Sequence, residues 1–83
     1  MMSQRKAQKW SFKTKEYTEC KIPPRASLYE IDMDKMIQCA ACGKEISYGA
    51  GFTSRQIHTH GGLGYIVCDE CYQKEWKEWE EVN

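Results

Sequence analysis

The stretches Cys39-Ala-Ala-Cys42 and Cys68-Asp-Glu-Cys71 decide the fold of this 83-residue chain. Each stretch places two cysteines three positions apart, so that one turn of backbone directs two thiolates at a single point. The 25 residues between Cys42 and Cys68 suffice for a hairpin that returns the chain to its start. We therefore predict one structural zinc ion bound by all four thiolates.

The size of the chain makes this ion important. A domain this small gains only about 3–5 kcal/mol of net stability from its apolar core, whereas structural zinc contributes an apparent free energy of about 10–16 kcal/mol at neutral pH. We expect residues 36–81 to be largely unfolded without metal. Gly43, directly after the first pair, permits the left-handed backbone that aims amides at the sulfurs. The fifth cysteine, Cys20, is expected to be a free and inert thiol.

Short β-rich runs surround the first cysteine pair. Tyr29, Ile31 and Met33 alternate with polar residues and predict a short strand before Cys39. The runs 52–59 and 65–67, joined by a glycine-rich connection, predict a β-hairpin that leads into Cys68.

The segment from Asp69 to Glu81 contains no glycine or proline and predicts the C-terminal helix. Tyr72, Trp76 and Trp79 fall on one face of this helix. We expect these rings to face the core, since burying aromatic side chains is the main source of apolar contact in so small a domain.

One pattern combines these elements: Cys39-x-x-Cys42-Gly43-Lys44-x-Ile46 with Gly49 and Phe52, then Tyr65-x-x-Cys68-x-x-Cys71-Tyr72 entering a helix. Over residues 37–82 it resembles the treble-clef group of zinc fingers. The resemblance implies a small α+β domain made of a zinc knuckle, a β-hairpin and a C-terminal helix. Proteins with this architecture bind nucleic acid, bind protein or act as nucleases, so the resemblance does not select a function.

The net charge of zero conceals a polarity along the chain. Residues 1–27 carry a charge of +5 and end in Pro23-Pro24, whereas residues 28–83 carry −5. Because the aromatic residues of the first segment follow no helical or strand period, we interpret residues 1–27 as a basic, largely irregular arm and residues 28–83 as the zinc-binding domain.

The sequence argues against an enzyme. Four cysteine ligands close the coordination shell that a catalytic zinc leaves open. The helix lacks the His or Asn that nucleases of the HNH type place there, and the zinc deaminase pattern is missing. His58 and His60 are interpreted as two side chains on one face of the hairpin, outside the metal site. Thiol-redox chemistry is disfavoured because the two cysteine pairs are spaced for one metal.

Two kinds of binding remain open, and neither involves a small-molecule substrate. In the first, the basic arm neutralises phosphates while its aromatic rings stack on bases. In the second, the acidic helix and the hairpin dock on a protein as an adaptor or inhibitor. The −5 charge of the zinc-binding part slightly favours a protein partner. The candidate contact residues for either partner are Arg5, Lys6, Lys9, Trp10, Lys13, Lys15 and Arg55.

The sequence also predicts a location. No secretory signal pattern is recognisable, and no apolar run approaches the length needed to span a bilayer. Together with thiols reserved for metal, this favours the reducing cytoplasm and no membrane association.

Overall fold

The computed structural model describes residues 5–82, except for the side chain of Arg5. It confirms the small α+β class, with two antiparallel β-sheets and one C-terminal helix. No helix within these residues is long and apolar enough to cross a membrane. The elements in chain order are β1 (Arg5–Ser11), β2 (Glu16–Ile22), β3 (Met36–Gln38), β4 (Glu45–Ser47), a 3₁₀ turn (Tyr48–Ala50), β5 (Phe52–His58), β6 (Gly64–Val67) and α1 (Asp69–Val82).

The larger sheet has the strand order β2-β1-β5-β6, and β3 pairs with β4 in the smaller one. The predicted hairpin is β5–β6, where Phe52 pairs with Val67 and Thr53 with Ile66. The predicted helix is α1, which starts directly after Cys68. The predicted hairpin and the predicted helix are therefore confirmed.

The prediction that residues 1–27 are largely irregular is wrong for residues 5–22. Strands β1 and β2 pair along their full length, from Arg5↔Ile22 to Ser11↔Glu16. Strand β1 also pairs with β5, so this hairpin forms half of the larger sheet. Residues 1–4 of the predicted arm lie outside the described residues.

The turn between β1 and β2 lacks the residues from which a hairpin is usually predicted. Lys15 takes the left-handed position with φ 58°, where glycine or asparagine is usual. Its N–H donates to Ser11 O at 2.8 Å, which closes the turn without a characteristic turn residue. On the core side of the hairpin, Ala7 and Ile22 are fully buried, but charged neighbours mask their periodicity.

The predicted strand through Tyr29, Ile31 and Met33 is also wrong. This segment runs through bends and turns, with all three side chains exposed, and β3 begins only at residue 36. The edge of β6 is already occupied, since Ile66 N–H donates to Ser27 O and Ile66 O accepts from Ala40 N–H, both at 3.0 Å. The chain between these two contacts therefore loops away from the larger sheet.

The buried core brings the sheet, the knuckle and the start of the helix together. Two of the four predicted metal ligands, Cys39 and Cys68, belong to it. The metal site is thus continuous with the apolar interior. The core cluster contains Ala7, Ile22, Ala26, Cys39, Ala40, Ile57, Tyr65, Val67 and Cys68.

Helix α1 packs on β5 through a polar contact. The aromatic residues expected at the core face, Tyr72, Trp76 and Trp79, are half-buried, and the buried residue of the helix is Glu75. The rings form a flank: Tyr72 stacks on Phe52 with centroids 4.8 Å apart and an interplanar angle of 9°. Of the three rings, Tyr72 packs against the core cluster, whereas Trp76 and Trp79 lie half-buried beside Arg55. The expectation of a core-facing aromatic surface is therefore confirmed for Tyr72 only.

Glu75 is held by two groups of β5. Its Oε2 accepts a hydrogen bond from the Ser54 hydroxyl, and its Oε1 accepts one from Arg55 N–H at 2.7 Å. Ser54 Oγ in turn accepts from the N–H groups of Gln56 and Ile57 at 3.0 and 2.8 Å. Since Ser54 Oγ accepts two bonds, its hydroxyl proton is left for an acceptor on the helix, which a carboxylate supplies.

We expect Glu75 to give folding a pH dependence. Burial raises the pKa of Glu75 above its ordinary value of 4.5, although the bonds from Ser54 and Arg55 oppose the shift. The stabilisation by the neutral carboxyl is fully present below that ordinary value and is lost as pH rises through the raised pKa. Relative to Glu75→Gln, the wild type should lose free energy of unfolding as the pH rises above 4.5 and passes through the raised pKa of Glu75.

Urea unfolding of the two metal-loaded proteins across this range measures the difference. Titration of the cysteines cancels in the comparison because both proteins contain all four. A difference that stays constant with pH would show that the carboxyl ionises as it does in water.

Candidate metal centre

The structure brings the four predicted ligands together. The Sγ atoms of Cys39, Cys42, Cys68 and Cys71 all lie within 4.8 Å of one another. The Sγ atoms of Cys42 and Cys68 are 3.8 Å apart, and a tetrahedral ion with metal–sulfur bonds of about 2.3 Å separates its ligands by about 3.8 Å. Within residues 5–82 no other group of three His, Cys, Asp or Glu ligand atoms is this close. The four thiols are positioned to bind a metal ion.

The first cysteine pair lies in the connection between β3 and β4. Cys39 Sγ accepts hydrogen bonds from the N–H groups of Ala41 and Cys42, both at 3.4 Å. Gly43 has the predicted left-handed backbone, with φ 81°, and its N–H donates to Cys39 O at 2.9 Å. Cys39 N–H donates to Lys44 O at 2.9 Å and closes the turn. This geometry orients backbone dipoles to favour a negative sulfur.

The second pair lies at the start of α1. Cys68 immediately precedes the helix and Cys71 lies in its first turn, where Tyr72 N–H donates to Cys68 O at 2.9 Å. The free amides and dipole of a helix N-terminus stabilise thiolates. Lys44 Nζ lies 3.6 Å from Glu70 Oε1, an exposed ion pair that links the two cysteine turns.

The thiols affect one another's ionisation. Burial alone would raise the pKa of Cys39, but N–H donation by Cys42, Cys68 and Ala41 outweighs burial and lowers this pKa to about 7. Burial, followed by the neighbouring thiols of Cys68 and Cys39, raises the pKa of Cys71. One thiolate therefore forms readily and opposes ionisation of the next. A divalent cation removes this opposition, because all four sulfurs can then bind as thiolates.

One side of the cluster is open. Cys42 is exposed and Cys71 half-buried, and both border a depression of 490 Å³. The charged lining of this depression is mixed, with Lys9 of β1, Lys74 and Lys77 of α1, and the helix residues Glu75, Glu78 and Glu81. Two further basic residues have partners of their own: Lys44 pairs with Glu70, and Arg55 stacks on Trp76 with Cζ 4.4 Å from the ring centroid.

The remaining candidate residues are distributed over the first hairpin and β5. Lys6 and Lys9 are exposed on β1, and Lys13 and Lys15 are exposed in the turn that follows. The side chain of Arg5 lies outside the described residues. Two of the candidates, Trp10 and Arg55, line one groove of 380 Å³ together with Phe12, Tyr17, His58 and Trp79.

Phe12 and Tyr17 are among the aromatic rings that the sequence offered for base stacking, whereas His58 and Trp79 of the groove and the buried Glu75 were not predicted as site residues. The groove depends on the β1–β2 register that places Trp10 opposite Tyr17. Because the sequence did not predict this hairpin, it did not predict the groove. For Glu75 a weak signal existed, since it lies one helical turn after Cys71 on the side of the helix that the metal ligand must face.

The histidines and the fifth cysteine take no part in the metal cluster. His58 ends β5 and His60 lies exposed in the following loop, so the expectation of a shared strand face is wrong. Cys20 is a free, half-buried thiol on β2 that packs against the core. Burial is the main cause that raises its pKa, which favours the unreactive thiol form.

No family model, curated protein or solved structure matches this chain.

We expect the Cys68→Ser variant to lose both bound metal and stability. A serine hydroxyl is a poor metal ligand, and Cys68 is also part of the buried core. Bound metal should fall from one ion per chain to a small fraction, and cooperative thermal unfolding should disappear, because losing a structural metal removes several kcal/mol. Elemental analysis and circular dichroism measure the two effects.

Cys20→Ser is the matched control, since it changes the same atom outside the cluster. It should keep the full metal content and cost about 1 kcal/mol of stability. Equal metal content in the two variants would rule out the four-sulfur site.

Proposed function

We propose that this protein is a non-enzymatic, zinc-stabilised module that binds another protein. The donor set supports zinc: four thiolates suit soft or borderline ions, and a tetrahedral shell of four sulfurs is typical of structural zinc. Since protein ligands fill that shell, no position is left for a catalytic water. A reducing compartment, where thiols stay free to bind metal, fits the same proposal.

The arrangement around the cysteines supports a treble-clef-like organisation. The first pair lies in a tight turn between β3 and β4, β5 and β6 form the next hairpin, and α1 carries Cys71. This is the order of knuckle, hairpin and helix that the sequence pattern implies. The first hairpin, β1–β2, is an addition that extends the sheet beyond that unit.

Elemental analysis tests the identity of the ion. Protein purified without added metal should contain one zinc per chain and show no visible absorbance, since Zn²⁺ has a filled d shell. A stoichiometric iron content with visible absorption bands would contradict zinc and indicate an iron–sulfur centre.

The single observation that favours a protein partner is an exposed row of large apolar side chains, here termed the apolar strip and formed by Tyr29, Ile31, Met33 and Met36. Their exposed fractions lie between 48% and 90%. Large apolar residues concentrated on a surface mark protein-binding sites more often than single scattered ones do. The ring of Tyr48 contacts Tyr29 with centroids 6.0 Å apart and extends the strip.

Hydrogen bonds hold the apolar strip in a defined shape despite its exposure. Met33 O accepts from Gly49 N–H at 2.8 Å, and Asp32 O accepts from Lys35 N–H at 3.1 Å. Asp32 Oδ1 accepts from Asp34 N–H at 2.9 Å. A surface segment ordered before binding loses less conformational entropy when a partner docks.

Acidic residues define the chemistry of the partner. Glu30, Asp32 and Asp34 alternate with the apolar side chains. A complementary surface has apolar sockets surrounded by Lys or Arg, because opposite charges steer association and fix the register. The acidic helix is less suited to this role than the sequence indicated, since Glu75 is buried against β5 and Glu78 accepts from Gln56 Nε2 at 2.9 Å.

Ile31→Asp should abolish partner capture without unfolding the protein. Ile31 is the most exposed residue of the strip, and an added carboxylate leaves the charge pattern acidic while removing the apolar contact. Loss of a central apolar anchor costs about 2 kcal/mol or more of binding free energy. Leu63→Asp is the matched control, because Leu63 is a 64% exposed aliphatic residue in the β5–β6 loop.

Affinity capture from the source cell with wild type and both variants measures the effect. The proposal requires a protein retained by the wild type and by Leu63→Asp but lost by Ile31→Asp, with identical circular dichroism for all three. Identical capture by Ile31→Asp and wild type would refute the strip as the docking surface.

A further inference from the structure

A second surface has a different chemistry from the apolar strip. The aromatic groove is the 380 Å³ depression lined by Trp10, Phe12, Tyr17, Arg55, His58 and Trp79. Its volume lies within the range of about 300–1,000 Å³ typical of ligand sites. Five of the six lining residues carry rings, and none is acidic.

The strand register places three of these rings on one face of the sheet. Trp10 pairs with Tyr17 across β1 and β2, and Gln8, two positions before Trp10, pairs with His58 across β1 and β5. The ring centroids are 4.9 Å apart for Trp10 and Tyr17, and 5.8 Å apart for Tyr17 and His58. Tyr17 keeps 44% of its surface exposed. The rings pack edge to face, with interplanar angles of 63° and 76°, so they form an open platform of separate ring faces on the opposite side of the sheet from buried Ala7.

Arg55 provides the positive charge of this platform. Its guanidinium carbon lies 4.4 Å from the ring centroid of Trp76 and 5.7 Å from that of Trp79. Burial lowers the pKa of His58, so the imidazole is neutral at pH 7 and Arg55 is the cation of the lining. Lys15 borders an adjoining depression of 170 Å³ that shares Trp10 and Trp79 with the groove.

We propose that the aromatic groove binds single-stranded nucleic acid, with unpaired bases stacking on Trp10 and Tyr17 and phosphates attracted to Arg55. Bases stack on aromatic side chains whatever their sequence, and arginine supplies both charge and a planar surface. The exposed Lys13 and Lys15 of the neighbouring turn extend the positive charge along the strand.

The same features disfavour a quaternary ammonium ligand as the occupant. A cation placed over the rings would meet Arg55, which already occupies the position over Trp76 and Trp79. Duplex is disfavoured because its paired bases are stacked on one another and cannot lie on Tyr17. The aromatic groove shares no residue with the apolar strip, so its binding of nucleic acid does not depend on a protein partner.

Fluorescence anisotropy with the full-length, metal-loaded protein tests the groove. The probes are labelled oligothymidine, oligouridine and a DNA duplex, each of about 12 nucleotides per strand, within the span of known single-strand sites. Both single strands should bind more tightly than the duplex. Tyr17→Ala should weaken single-strand binding about 5- to 100-fold, whereas Leu63→Ala, which removes an exposed apolar side chain of the β5–β6 loop outside both surfaces, should leave it unchanged.

Arg55→Gln is a second variant, which leaves the packed rings of the β1–β2 hairpin unchanged. It should lower affinity and reduce the slope of log affinity against log salt by about 0.7, the value for one phosphate contact on a single strand. Arg25→Gln is the charge-matched control, because Arg25 pairs with Glu45 away from the groove. Unchanged circular dichroism and metal content establish that each variant is folded.

Three results would overturn the inference. One is no oligonucleotide binding at concentrations up to about 10⁻⁴ M in low salt. Another is binding that Tyr17→Ala and Arg55→Gln leave intact, or that is equal for duplex and single strand. The third is groove-dependent binding of a trimethyl-lysine peptide in place of the oligonucleotides, which would assign the rings to a cation.

Discussion

Four sulfur atoms held within 4.8 Å of one another are the constraint on which the remaining structure depends. They come from two turns separated by 25 residues, and each turn is joined to a different part of the fold. The first turn closes the β3–β4 hairpin, and the second connects β6 to α1. Since Cys39 and Cys68 are also core residues, bringing the sulfurs together assembles the interior in the same step.

The packing around this cluster is sparse, which explains why a metal matters. The core cluster has few large aliphatic side chains, and five of its nine residues are small: two cysteines and three alanines. The helix contributes a buried carboxylate to its contact with β5, in place of an apolar residue. Polar groups buried in pairs specify geometry more than they add stability. A structural metal adds free energy that a small apolar core does not provide.

Much of the metal site and of the C-terminal half was predictable from sequence because the signals there are local. A C-x-x-C turn, a glycine-rich connection and a long stretch without glycine or proline each specify their own conformation. The β1–β2 hairpin was not predictable in this way, since Lys15 occupies a left-handed turn position and Ala7 is a small core residue between polar neighbours. Its stability comes from pairing with β5, a contact distant in sequence.

The segment around Ile31 is the opposite case, since it has the sequence pattern of a strand but does not form one. Its alternating pattern is that of a half-buried strand, but the backbone edge it would need is taken by Ser27 and Ala40. A pattern that normally buries one face thus remains exposed. The two oppositely charged parts of the chain lie at different surfaces. The basic N-terminal part forms the hairpin that carries Trp10 and Tyr17 of the aromatic groove, and the acidic part contains the apolar strip.

The dependence of folding on the metal is tested most directly by the ¹H–¹⁵N NMR spectrum of the protein before and after removal of its ion with a strong chelator under reducing conditions. We expect the dispersed amide signals of residues 36–82 to collapse to the narrow range of an unfolded chain. The signals of β1 should collapse as well, because β1 pairs with β5. All of these signals should return when one equivalent of Zn²⁺ is added. A metal-free protein that keeps a fully dispersed spectrum would contradict the account.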